Sequence, residues 1–237
     1  MVPVSHGYHV VEDRSFRAES KDESDSDPDS VVVQREQVGE LEVWFFGVFN
    51  ARIGDIVTKN MQSHLFDKKP EESQLRRKTK EAMRKAHVGA RGKMREKAEK
   101  EKGKVGGSGG SASAIVINGE KLVMANMGGY RAVVCRDGVI RMPKVRIFVR
   151  ESGAAVGADK ENPKSSAEIG VGDESIDFDT EFVILASAGI WEVMKHQEAV
   201  NLIRHIEDPQ EAAECLAKEA LTRMSKSNIS CLVIRFE

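Results

Sequence analysis

The sequence predicts an α+β fold in which an antiparallel sheet is flanked by helices. Three observations support this prediction. Apolar runs rich in Val, Ile and Phe are separated by turn residues, as in strands joined by hairpins. Helical periodicity is confined to separate stretches. Strands and helices also do not alternate regularly, as they would in a doubly wound βαβα fold.

Apolar runs with the length and composition of β-strands occur along most of the chain. They cover residues 7–11, 41–49, 113–118, 121–127, 131–138, 181–187 and 229–236. Turn-forming pairs bound several of them, at Asn118-Gly119, Gly128-Gly129 and Asp137-Gly138. The short break at residues 118–120, where one run ends and the next begins at residue 121, predicts a β-hairpin.

Helical spacing of apolar residues predicts a helix after the second run, where Ile53, Val57 and Met61 lie on one stripe. Further helices are predicted at about residues 71–102, 195–206 and 208–224. The last of these begins with Asp208 as N-cap and Pro209 at the first helical position. These helices supply the layers that would cover the sheet.

The chain is predicted to form a single domain over residues 1–237, since its length can bury a full core. Two charged segments interrupt the core pattern. Residues 18–31 are rich in Asp, Glu and Ser and predict a disordered acidic loop. Residues 71–104 predict a basic helix, with thirteen Lys and Arg against four Glu between residues 76 and 104. Residues 150–178 give only weak structural signals.

Composition and charge exclude several classes of protein. The net charge of −2 gives no global attraction to nucleic acid or to a membrane. No run approaches the roughly 18 apolar residues of a membrane span. The three cysteines form no C-x-x-C pair, which favours a reduced compartment. We therefore expect a soluble protein of the cytoplasm or nucleus.

Two strand ends have the position of a functional site but lack its chemistry. The run 41–49 ends at Asn50-Ala51-Arg52, and the run 181–187 ends at Ala188. Strand ends are rigid places on which reactive side chains are usually mounted. Neither end carries a carboxylate, thiol or histidine.

Five motifs, in order, resemble those of the metal-dependent, type 2C serine/threonine protein phosphatases, most closely the plant branch. They are SHGYHVV at 5–11, GVFNARIG at 47–54, KLVMANMGGYRAVV at 121–134, EFVILASAGIWEVM at 181–194 and SNISCLVIRF at 227–236. The resemblance implies an αββα sandwich with two antiparallel sheets. It also implies two Mg²⁺ or Mn²⁺ ions held by aspartates at one edge.

The chain departs from the family's pattern at most of the ligand positions. Asn50, Ala51 and Arg52 stand where the family has Asp-Gly-His. Ala188 and Ser227 each replace an aspartate of the later motifs, and Gly129-Tyr130 replaces Asp-Ser. The resemblance places the family's early Glu-Asp pair at Glu12-Asp13. The family's flap segment is shortened here to about residues 150–178.

These departures remove most of the charge that a binuclear site needs. Mg²⁺ and Mn²⁺ prefer oxygen ligands, with carboxylates offsetting their charge. Asn50 and Ser227 offer neutral oxygens and Ala188 offers none, so Asp13 and Glu12 are the most that could remain. Arg52 could hold a phosphate bidentately at a helix start. The simpler interpretation of Arg52 is a solvated arginine on a first helical turn.

The sequence therefore predicts an inactive type 2C phosphatase-like protein, or pseudophosphatase, with a binding or regulatory role. No cofactor is expected, although Mg²⁺ or Mn²⁺ would be needed if activity remains. The first alternative is a residual metal-dependent phosphatase acting on phosphoproteins. The second is a binder of an acidic partner or nucleic acid through the basic helix. We expect a protein or phosphoprotein partner, and neither a membrane nor nucleic acid.

Overall fold

The computed structural model describes residues 4–11, 28–51, 53–65, 71–100, 110–141, 146–148 and 169–236. Its elements follow in chain order: β1 (Val4–Val10), β2 (Ser30–Val38), β3 (Leu41–Phe49), α1 (Gly54–Leu65), α2 (Glu72–Lys100), β4 (Ala112–Asn118), β5 (Lys121–Met127), β6 (Arg131–Arg136), β7 (Val139–Arg141), β8 (Arg146–Phe148), β9 (Ile169–Ser175), β10 (Thr180–Ala186), α3 (Ala188–Trp191), α4 (His196–Ile203), α5 (Pro209–Thr222) and β11 (Ser230–Phe236).

The strands form two sheets in which the neighbours pair antiparallel. The five-stranded sheet has the order β1-β11-β10-β6-β7, and the six-stranded sheet has the order β2-β3-β4-β5-β9-β8. The predicted hairpin is present, since Asn118 pairs with Lys121 across a turn in which Gly119 has a φ of 73°. Glycine tolerates this left-handed backbone conformation better than other residues do.

Three apolar layers hold the fold together. In β3, Phe45 packs toward α1 and α2, while its neighbour Phe46 packs between the two sheets. Successive strand residues point to opposite faces, so a strand covered on both sides needs apolar residues throughout. The third layer, which includes Phe182 and Leu216, lies between the five-stranded sheet and the helices α3–α5. The result is the predicted αββα sandwich.

The helix boundaries agree with the sequence prediction to within a few residues. At the start of α5 the carboxylate of Asp208 accepts a hydrogen bond of 2.8 Å from the backbone N–H of Glu211. Pro209 follows as the first helical residue. Both features satisfy or remove backbone donors that a helix start leaves unpaired.

The structure has four strands that the sequence did not predict: the short strands β7 and β8, and the longer strands β2 and β9. Strand β2 begins at Ser30, inside the predicted acidic loop 18–31, and β9 occupies residues 169–175 of the weak region 150–178. Strand β2 lies at the edge of its sheet, and most of it is only half-buried. Its sequence therefore lacks the clear alternation of polar and apolar residues that would predict a strand. Residues 18–27, 101–104 and 150–168 of the predicted segments lie outside the described residues.

The basic helix is an integral part of the sandwich. One face of α2 buries Leu75, Met83 and Ala86 against the six-stranded sheet, and the opposite face carries most of the charge. Within the described ranges, none of the helices is long and apolar enough to cross a membrane.

Candidate functional site

The predicted site positions meet at one end of the sandwich, which we call the strand-end edge. In the six-stranded sheet, Ser30 pairs with Phe49, Phe49 with Ala112, and Ala112 with Met127. In the other sheet, Ala186 pairs with both Arg131 and Cys231. These registers place the end of β3, the β5–β6 turn, the end of β10 and the start of β11 at the same edge.

A buried carboxylate lies at the centre of this edge. Asp29, which precedes β2, is 7% exposed. Its Oδ1 accepts hydrogen bonds from Tyr130 Oη at 2.5 Å and from Asn228 Nδ2 at 3.0 Å. Its Oδ2 accepts a hydrogen bond from Ser230 Oγ at 2.5 Å. Neutral donors from the β5–β6 turn and the start of β11 therefore engage both oxygens of this carboxylate.

Asn50 and Ala51 connect the end of β3 to α1. The backbone N–H of Asn50 donates to the carbonyl of Ser111 at 2.9 Å, next to the start of β4. The carbonyl of Asn50 accepts from the N–H groups of Ile53 and Gly54, at 2.9 and 3.2 Å. Asn50 thus stabilises, through its backbone carbonyl, the turn that leads from β3 into α1, which begins at Gly54. Ala51, which is half-buried, lies in the turn between them.

Ala188 begins α3 and lies directly against the β5–β6 turn. A Cβ placed on Gly129 would come within 3.1 Å of the Cβ of Ala188, so these two loops leave little space between them. The preceding residue, Ser187, fixes this corner: its Oγ donates to the carbonyl of Asn228 at 2.5 Å and accepts from the N–H of Ser230 at 2.9 Å. The corner is packed, and its half-buried Ala188 has no polar side-chain atom.

Ser227 faces Glu192, which follows α3. Ser227 donates to the Glu192 carboxylate through both its Oγ, at 2.8 Å, and its backbone N–H, at 2.9 Å. Ser225 Oγ and the Lys226 N–H add hydrogen bonds of 2.7 and 2.6 Å. Burial acts to raise the pKa of Glu192, but these hydrogen bonds outweigh it and hold the pKa below its usual value. Glu192 therefore holds the loop before β11 as an anion.

A shallow depression of about 460 Å³ adjoins this loop, lined by residues 191–196 and Glu198. Trp191 forms one side of it and donates from Nε1 to the carbonyls of Ala186 and Arg131, at 3.0 and 3.3 Å. His196 packs edge-on against Trp191, with ring centroids 4.8 Å apart. Burial, with a smaller contribution from the charge of Arg131, lowers the pKa of His196. The imidazole is therefore neutral near pH 7.

The structure brings together Asn50, Ala51, Ala188 and Ser227 of the predicted site positions. Glu12, Asp13 and Arg52 lie outside the described residues. Sequence reasoning did not identify Asp29, because it was counted within the acidic loop. The available signal was its position immediately before the β-branched run Val31–Val33, which forms strand β2.

The described side chains at this edge do not fit a pair of divalent ions. Such a site needs several carboxylates around the ions. Where β2 begins and β3 ends, Asp29 is the only carboxylate among the described residues. Neutral donors engage both of its oxygens. No group of three or more His, Cys, Asp or Glu side chains in the described part of the chain is arranged to hold a metal.

Two stacked antiparallel sheets, helices on both outer faces and loops meeting at one edge define the architecture of the metal-dependent serine/threonine phosphatases. The described fold is similar to that of a Mycobacterium tuberculosis serine/threonine phosphatase, with a TM-score of 0.62 at 15% sequence identity. That comparison covers all of both chains, and it concerns the fold alone.

Comparisons of sequence assign the family. A model described as Protein phosphatase 2C matches residues 13–146 and 160–229. An Arabidopsis thaliana protein named "Putative protein phosphatase 2C-like protein 44" is 50% identical over 248 residues, covering 100% of this chain and 87% of that protein. Another from the same plant, "Probable protein phosphatase 2C 39", is 33% identical and covers 99% of this chain and 86% of its own length. The chain belongs to the protein phosphatase 2C family, whose activity depends on Mg²⁺ or Mn²⁺, and the predicted resemblance is confirmed.

Proposed function

We propose that this chain is a non-catalytic member of the protein phosphatase 2C family, a pseudophosphatase that acts by binding a protein partner. The observation that carries the proposal is the environment of Asp29. Both oxygens of this carboxylate accept hydrogen bonds from the neutral side chains of Tyr130, Asn228 and Ser230. A metal ion would have to compete with these donors for the same lone pairs.

Electrostatics supports the same conclusion at the neighbouring positions. Clustered carboxylates must offset about +4 of charge in a two-metal hydrolase, and the metals generate the attacking hydroxide. Asn50, Ala188 and Ser227 contribute no negative charge, and Ser227 is already bound to Glu192. Residues that act as one catalytic unit have strongly non-additive effects, so the members that remain do not compensate for the loss of several others. No cofactor is therefore required by the proposed function.

The partner we propose is a protein, or a phosphoprotein, met in the cytoplasm or nucleus. Nucleic acid is a weaker candidate, because several cations of the basic helix are paired with carboxylates. Lys80 pairs with Asp173, and Arg84 and Lys85 pair with Glu81. A gel shift that weakens steeply with salt would instead favour nucleic acid, since contacts to phosphates depend strongly on ionic strength.

Two measurements on the purified chain test the absence of catalysis. Calorimetric titration with Mn²⁺ at millimolar concentration should give no binding heat above dilution. Hydrolysis of a phosphoserine peptide with Mn²⁺ present should equal the rate in EDTA. An active family member that has all of its aspartates serves as the positive control for both. Mn²⁺-dependent hydrolysis that disappears in Asp13→Ala would overturn the proposal and establish the residual phosphatase.

A further inference from the structure

A fully exposed aromatic side chain stands at the end of the sandwich opposite the strand-end edge. Phe178 lies in the turn between β9 and β10 and has a relative exposure of 105%. Strand β10 runs from Thr180, beside this turn, to Ala186 at the strand-end edge. A single exposed apolar residue is ordinary on a protein surface. Phe178 differs from such a residue because its turn is ordered by hydrogen bonds and is surrounded by carboxylates.

Hydrogen bonds in the turn order the backbone at Phe178. The N–H of Thr180 donates to the carbonyl of Asp177 at 2.9 Å, and the hydroxyl of Thr180 accepts from the N–H of Asp177 at 3.1 Å. Phe178 therefore occupies the second position of a hydrogen-bonded β-turn. Before the turn, Ile176 is buried and donates its N–H to the carbonyl of Glu120 at 2.7 Å. Within the turn, the carbonyl of Asp179 accepts from the N–H of Asp137 at 3.1 Å.

Arg136 secures the two aspartates beside the aromatic ring. Its guanidinium lies 2.9 Å from the Asp177 carboxylate and 3.6 Å from that of Asp179. It also donates to the carbonyl of Ser175 and approaches Glu174 at 3.8 Å. Because the backbone of the turn is already ordered, a partner that buries Phe178 would have to immobilise only its side chain, which has two rotatable bonds.

The surface around Phe178 is acidic. Three turns meet here, and their five carboxylates outnumber the three nearby cations, Arg136, Lys121 and Arg204. The carboxylates belong to Glu120, Asp137, Glu174, Asp177 and Asp179. Like charges repel across an interface, so two copies of this end would not pack against each other. The complementary surface is an apolar pocket bordered by Lys and Arg.

We propose that Phe178 and its acidic surroundings form a docking surface for a folded protein partner that presents an apolar pocket with a basic border. Aromatic side chains buried at the centre of an interface carry a large share of binding free energy. The opposite charges of the two rims speed association and exclude partners of the wrong sign. This surface lies at the opposite end from the strand-end edge. The docking proposal therefore does not depend on whether the chain hydrolyses phosphate.

The test begins with a photoreactive p-benzoylphenylalanine in place of Phe178 in the full chain. The matched control carries the same residue in place of Met224, which is 75% exposed and precedes the Ser225–Ser227 loop at the strand-end edge. Crosslinking is done in an extract of cells that express the chain. The protein captured at position 178, and not at 224, is identified, purified and titrated against the wild-type chain.

Support requires that Phe178→Ser weakens the affinity for that purified protein about 10-fold or more. The crosslinked segment must also carry Lys or Arg, and raising the salt from about 50 to about 500 mM must weaken binding. Thermal unfolding of Phe178→Ser should match wild type, because the side chain makes no buried contact. Equal affinity for wild type and Phe178→Ser, an acidic crosslinked segment, capture of a second copy of this chain, or no capture specific to position 178 would each overturn the proposal.

Discussion

The hydroxyl of Tyr130 donates a 2.5 Å hydrogen bond to Oδ1 of Asp29, and both side chains are buried. This contact joins the β5–β6 turn to the residue that precedes β2. Asn228 and Ser230 join the start of β11 to the same carboxylate. In a binuclear phosphatase, ions link the loops at this edge. Here hydrogen bonds between side chains make that link, so the edge is held together without requiring an ion.

The first prediction concerns the Tyr130 hydroxyl. Tyr130→Phe keeps the aromatic ring and removes one donor from a buried carboxylate, which should lower the free energy of unfolding by about 1–3 kcal/mol. Urea denaturation at pH 7 measures the change. Tyr8→Phe is the matched control: because Tyr8 is half exposed, this variant should unfold like wild type. Equal stabilities for Tyr130→Phe and wild type would contradict the structural role of this hydrogen bond.

The sequence was sufficient to predict the layered fold and the substitutions at Asn50, Ala188 and Ser227. Local signals carry that information, because apolar periodicity, turn residues and ordered motifs each lie within a short stretch. Asp29 could not be found in this way. Its donors lie 101, 199 and 201 residues away along the chain, so only the folded structure brings them to its carboxylate. The sequence showed that Tyr130 replaces a serine of the family's motif, but it did not show that Tyr130 binds Asp29.

The second prediction concerns Ser227 and Glu192. Ser227→Asp places a carboxylate beside the Glu192 carboxylate and removes a hydroxyl donor, so it should cost about 1–3 kcal/mol of unfolding free energy at pH 7. Ser227→Asn is the control, since its amide is neutral and can still donate. The loss in Ser227→Asp should shrink as the pH falls toward 4, because protonation of either carboxylate removes the repulsion. A pH-independent loss, or an equal loss in Ser227→Asn, would show that steric crowding is responsible instead.

The third prediction tests the charge deficit of the strand-end edge directly. A combined Asn50→Asp, Ala188→Asp and Ser227→Asp variant should be less stable than wild type without metal, because it concentrates negative charge. Mn²⁺ should then raise its melting temperature, since a ligand that binds only the folded state stabilises it. Asp at position 50 should still form the turn before α1, because the backbone carbonyl of residue 50 accepts the hydrogen bonds from Ile53 and Gly54.

The control for this variant carries Asn at positions 50, 188 and 227, which matches the size of the aspartates without their charge. Differential scanning calorimetry with and without millimolar Mn²⁺ separates the cases. Wild type and the Asn control should show no shift, and the Asp variant should show a rise. A rise of equal size in wild type would contradict the inference that the missing carboxylates prevent metal binding.

The fourth prediction concerns His87, a buried histidine on the core-facing side of α2. Its Nδ1 lies 2.8 Å from the carbonyl of Met83, and its Nε2 has no hydrogen-bond partner in the described part of the chain. Burial lowers its pKa from 6.5 to about 4, against a smaller opposing effect of the Met83 carbonyl. The unfolded chain therefore binds a proton at higher pH than the folded chain does. Stability is fully present above pH 6.5 and falls as the pH drops toward 4.

At about 1.4 kcal/mol per pKa unit, the shift of His87 corresponds to a loss of about 3 kcal/mol between pH 6.5 and 4. In His87→Gln, which does not titrate, this part of the pH dependence should disappear. Urea denaturation at intervals across that range gives the slope, and His205→Gln, at an exposed site, is the control. Some slope will remain because burial also lowers the pKa of His6 and His196. Parallel pH profiles for wild type and His87→Gln would show that His87 does not limit stability in mild acid.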